Sequence, residues 1–117
     1  MKLRGVLLVV LAIGALPGPS VADSLNHSLA EGQLLQQSCA SQALALRAMC
    51  LGYLAAVADD VEHDQRAGQR SICIPALVNL DAFRLAFLGF LKDHPEQADR
   101  PSFGLVKAAL AQAWPCG

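Results

Sequence analysis

From residue 28 to residue 61 the chain runs without a proline, and apolar residues return at helical intervals. Leu46, Cys50, Tyr53, Val57 and Val61 follow one another at steps of four, three, four and four, which places them on one helical face. Alanine, leucine and glutamine dominate the stretch, and all three favour helix. Ser28-Leu29-Ala30-Glu31 has the form of a capping box, with Ser28 as N-cap and Glu31 three residues on. The pattern is compatible with one long helix or with two separated by a break within residues 38–42. Residues 62–71 (EHDQRAGQRS) read as a polar loop around Gly68, and residues 72–75 as a short extended piece, because Pro75 disfavours helical backbone before it. Asn79 is placed to cap the next helix, with Asp81 in its first turn, where the helix dipole favours a negative charge. Leu80, Phe83, Phe87, Phe90 and Leu91 form the apolar arc of that helix, and Asp81, Arg84 and Lys92 its wet side. Leu85 and Leu88 fall among the polar residues. They are either scattered surface leucines or a face that meets another subunit or a partner.

The helix stops at Asp93-His94-Pro95. Pro101 stands near the first turn of a last helix, striped by Phe103, Val106, Leu110 and Ala113 with Trp114, and ended by Pro115-Cys116. Strand signals and internal repeats are absent. The expected fold is all-α, a small disulfide-stapled bundle of three to four short amphipathic helices.

The first residues change the picture of what folds. Met1-Lys2-Leu3-Arg4 is basic, residues 5–16 are apolar, Pro17-Gly18-Pro19 breaks any helix, and Ser20-Val21-Ala22 offers small residues before a cut. That order predicts a secretory signal peptide, residues 1–22, cleaved between Ala22 and Asp23. The apolar run is shorter than the ~18 residues a membrane anchor needs. A single mature domain, residues 23–117, is then expected in the periplasm, with no membrane association after cleavage. Of the nine Lys and Arg residues two lie in the leader, leaving seven against ten Asp and Glu, a net charge of −3. That balance argues against a nucleic-acid partner, since phosphate binding needs clustered positive charge.

All four cysteines, Cys39, Cys50, Cys73 and Cys116, lie in the mature part. An even count in a short exported chain reads as two disulfides. No C-x-x-C pair or histidine at ligand spacing supports a metal site, and no cofactor motif is present. If the last two helices form an antiparallel hairpin, Cys73 comes towards Cys116 and Cys39 is left for Cys50. Cys39–Cys116 with Cys50–Cys73 is open if the loop folds back. Cys39 and Cys50 are 11 positions apart, roughly 16 Å along an unbroken helix, so bonding them requires a break between them.

A nucleophilic enzyme needs a Ser or Cys held beside a base. Here His27, His63 and His94 occupy loop or helix-end positions and the cysteines are expected to be oxidised, so no catalytic residue is assigned. Asp59, Asp60, Glu62 and Asp64, followed by Arg66 and Arg70, make the 59–70 segment a candidate contact loop, against the plainer reading of a solvated helix end. Leu85 and Leu88 are the second candidate contact.

Cys50-Leu51-Gly52-Tyr53-Leu54 with Asp59, then Cys73-Ile74-Pro75, then the run FLGFLKDHP (residues 87–95), then LVKAALAQAWPC (residues 105–116) occur in one order. This order resembles the type VI amidase immunity (Tai) and related resistance-associated immunity proteins, from about Gly32 to Cys116. One family position departs: a glycine four residues after Gly52 is replaced by Ala56. The resemblance implies a disulfide-bonded helical periplasmic protein, usually a homodimer. It further implies a cognate amidase effector as partner, a peptidoglycan-cleaving toxin of type VI secretion that the protein blocks without chemistry of its own. The competing reading is an acid-stress periplasmic chaperone of the Hde type, which dissociates and exposes apolar surface when its carboxylates protonate.

Overall fold

The computed structural model describes residues 29–117 together with Gly14. The expected leader, its cleavage point at Ala22 and Asp23, and the Ser28 cap lie outside the described residues. Within them the chain forms α1 (Gly32–Ala40), α2 (Leu44–Arg66), α3 (Leu80–Asp93), a 3-10 turn (Pro95–Gln97) and α4 (Ser102–Ala113). This is the all-α bundle expected, although α2, at 23 residues, is not short.

The choice between one helix and two is settled by a sharp corner. Ser41 and Ala43 are both extended, and the Cys39–Cys50 disulfide closes across them. Ser41 Oγ accepts the Ala43 N–H at 3.1 Å, and the Arg47 guanidinium donates to the Ser41 carbonyl and to Gln42 Oε1, each at 3.3 Å. These bonds satisfy backbone groups freed where α1 ends and α2 begins. The second disulfide joins Cys73 to Cys116, so the approach to α3 is held against the end of α4. Cys73 N–H also donates to the Trp114 carbonyl at 2.9 Å, and the Phe83 and Trp114 rings meet edge to face at 5.4 Å.

Two sequence expectations for α2 are corrected. The face of α2 that meets the core is rotated from the stripe read above: Leu46 is 40% exposed, Tyr53 is half-buried, and Leu54 and Ala58 are buried beside Cys50, Val57 and Val61. The other correction concerns residues 62–71. The helix continues to Arg66 because Glu, Gln, Arg and Ala are all good helix formers, and it stops only where Gly68 takes φ +90°. There the Gln69 N–H donates to Asp64 O at 2.9 Å and the Gly68 N–H to Gln65 O at 3.2 Å. That pair of bonds is a Schellman motif, which needs a left-handed residue just past the helix. Asp59, Asp60, Glu62, Asp64 and Arg66 are therefore helical, and of the six named candidate contacts in this segment only Arg70 belongs to the connecting loop.

The core gathers Leu35 from α1, Leu54 and Val57 from α2, Phe83, Phe87 and Leu91 from α3, and Val106 and Leu110 from α4. Arg84, expected on the wet side of α3, is half-buried instead. It pairs with Asp81 at 2.6 Å and donates to the Cys39 carbonyl at 3.3 Å, tying α3 to the end of α1. At the other end of α1 two backbones touch. Gly32 donates its N–H to Arg100 O at 3.0 Å, and a Cβ at that position would run into Leu105 and stand 2.6 Å from Ala98 O. Ser102 Oγ is fully buried and makes no hydrogen bond of regular geometry. The nearby Tyr53 phenol is pushed up in pKa by burial, against a smaller opposing influence of Ser102.

Candidate functional site

Helical geometry divides the acidic cluster that looked continuous in sequence. Residues three and four apart share a face of a helix, so Asp60 and Asp64 project to one side of α2 and Asp59 and Glu62 to another. The first pair is occupied within the molecule. Lys107, from α4, lies 2.9 Å from Asp60 Oδ2 and 3.6 Å from Asp64 Oδ2, and its ammonium stands 4.9 Å from the centre of the Phe103 ring. The hydrogen bond to Asp60, with the charges of both aspartates, holds the Lys107 pKa above the ordinary lysine value despite some desolvation.

Asp59 and Glu62 have no ion-pair partner among the described residues. Together with Ala55 and Ala58 they form the α2 wall of a groove of about 200 Å³, whose opposite wall is the segment leading into α3. That segment is pinned at both ends: by the Cys73–Cys116 bond at one, and at the other by Asn79, whose Oδ1 accepts the Ala82 N–H at 2.9 Å as the N-cap of α3. Ile74 and Val78 turn inward onto the core. Between them Leu77 adopts φ +65° and is fully exposed, at 103% of its reference area. Left-handed backbone costs a non-glycine residue about 1–2 kcal/mol. Nothing in the sequence marks Leu77: residues 72–75 read as a short extended piece, and no glycine announces the left-handed residue that follows.

Arg66 and Arg70 are exposed, Arg66 in the last turn of α2, where a cation complements the helix dipole. The two leucines of α3 part company. Leu88 packs against the core, whereas Leu85 stays 57% exposed. A second, apolar groove of about 510 Å³ lies at the α1–α2 corner, lined by Leu34, Leu46 and Met49, and Leu44 beside it is 83% exposed. From residue 32 to residue 58 the chain carries a single charge, Arg47, so this corner is close to neutral. Among the described residues no three His, Cys, Asp or Glu side chains gather as metal ligands, and no helix is long and apolar enough to cross a membrane. What the surface offers is shape, apolar anchors and charge for binding.

Neither the curated proteins nor the solved structures contain a match to this chain. The family comparison does match, over residues 31–116, a span that takes in α1 to α4 and both disulfides. On that span the chain belongs to the Rap1a immunity proteins, an immunity-protein family of bacterial toxin systems.

Proposed function

We propose that this protein is the periplasmic antidote to a peptidoglycan-cleaving amidase effector delivered by type VI secretion. The observation that carries the reading is the membership of residues 31–116 in a toxin-immunity family whose members generally act without catalysis. The two cross-links suit a small domain working in an oxidising compartment, and the basic, apolar and small-residue order of residues 1–22 supplies a route to it. The protein acts by occupying its effector, as a homodimer. The apolar corner between α1 and α2 supports self-association, because two copies can bury its Leu34, Leu46 and Met49 wall there, with Arg47 the one charge that the 32–58 stretch of each copy brings.

The test is genetic and biochemical together. Deleting the gene should sensitise cells to a neighbour carrying the effector encoded beside it, and the periplasmic protein should begin at Asp23 and sediment with twice the mass of the 95-residue chain. A deletion strain as resistant as its parent would sink the amidase-immunity reading.

A further inference from the structure

Leu77 carries two costs at once. Its backbone sits where glycine is at ease and leucine is strained, and its side chain buries no area against its own chain. The residues around it do have structural work. Cys73 is bonded, Ile74 and Val78 pack inward, and Asn79 caps α3. The turn is thus held rigidly at both ends while one apolar side chain is aimed at solvent. Backbone strain of this kind persists where the surroundings enforce it, and it gathers at binding sites. A rigidly presented apolar side chain also gives up little freedom when it is buried in a complex.

The charges beside it state what kind of partner fits. Among the described residues no cation pairs with Asp59 and Glu62, which line the groove at the foot of the turn, whereas the neighbouring Asp60 and Asp64 already share Lys107. A cationic side chain arriving with the partner would complete the unpaired set.

We propose that the Leu77 turn, with Asp59 and Glu62, is the partner-binding surface, and that its occupant is a protein presenting an apolar pocket beside at least one Arg or Lys. This rests on the immunity reading above, in that the partner is taken to be the toxin rather than a second copy of this chain.

The experiment titrates the mature protein, residues 23–117, with the effector encoded beside the gene. Leu77→Gly relaxes the backbone and removes the anchor. It should fold with an unchanged or higher denaturation midpoint, keep the wild-type sedimentation mass, and bind at least tenfold more weakly. Leu77→Met keeps an apolar side chain on the same backbone and should bind within threefold of wild type. Asp59→Lys with Glu62→Lys should also weaken binding tenfold or more, by a factor that shrinks as salt is raised. Binding by Leu77→Gly within twofold of wild type overturns the inference, as does a Leu77→Gly protein that has lost self-association, which would place Leu77 between subunits. Wild-type protein that fails to bind the effector overturns the immunity reading instead, and the inference falls with it.

Discussion

At Gly32 the absence of a single methyl group decides how α1 meets the chain before α4. An added Cβ would strike Leu105 and lie 2.6 Å and 2.7 Å from the carbonyls of Ala98 and Arg100. Two of the three obstacles are backbone, which cannot rotate away. Gly32→Ala should therefore force α1 outward and lengthen the Gly32 N–H bond to Arg100 O, destabilising the fold by about 1–3 kcal/mol. Urea unfolding checks it, and a midpoint equal to wild type would mean that the contact is softer than drawn. Lys107 makes a different residue-scale prediction. Its pKa is raised by Asp60 and Asp64, so the stability it lends is complete below the ordinary lysine value of about 10.4 and is lost as pH rises through the raised one. Lys107→Met keeps the stem over Phe103 but removes the charge. The variant should be less stable than wild type at pH 8, and the gap should narrow as pH climbs above about 10.5. A gap independent of pH would assign the effect to packing. Lys107 was also invisible as a clamp in the sequence, because 47 positions separate it from Asp60 and only the tertiary fold joins them.

The two disulfides differ as elements. Cys39–Cys50 closes a separation of 11 residues inside the core, and Cys73–Cys116 closes 43 with both cysteines part-exposed. Loop-closure entropy assigns about 3 kcal/mol to the first and about 4 kcal/mol to the second. Exposure acts in the same direction on rate, since thiol exchange needs access to sulfur. Graded dithiothreitol with alkylation and mass spectrometry should show Cys73 and Cys116 modified first. The Cys73→Ala/Cys116→Ala double variant should lose about 4 kcal/mol of stability, and modification of Cys39 and Cys50 ahead of Cys73 and Cys116 in the reduction series would refute the assignment. The helices themselves were largely legible. The phenylalanine period of α3, the Asn79 cap and the proline before α4 are local signals, and each element stands where they put it. The end of α2 departs from the loop expected there because a polar stretch is not thereby irregular. Residues 62–66 are polar and helical at once, and Gly68, the residue that stops them, was in plain view. The apolar stripe of α2 was misplaced for another reason: with Leu, Ala and Val on several sides of the helix, only packing selects Leu54 and Ala58 over Leu46.

For the whole molecule, the distribution of charge separates the immunity reading from an acid-triggered chaperone. An acid switch requires carboxylates whose ionised form is favoured in the folded state, so that protonation withdraws stability. Asp81 is such a group. The hydrogen bond from Arg84 depresses its pKa, so its contribution is present above the ordinary carboxylate range and fades as pH falls through the lowered value. It is, however, a solvent-facing residue paired within one turn of α3, and surface pairs of that kind are weak. Asp60 and Asp64 share their one cation at the surface as well. Among the described residues the buried set is apolar apart from Ser38 and Ser102, neither of which ionises. Acid has no charge to create or remove inside the core, and both cross-links persist at any acidity. The mature protein should therefore keep its helical circular dichroism, its sedimentation mass and its indifference to apolar dyes from pH 7 to about pH 3, below the ordinary range of Asp and Glu. Dissociation with dye binding at pH 3, reversed on neutralisation, would favour the chaperone. A protein unchanged across that range would sink the chaperone reading and leave the immunity family's reading standing.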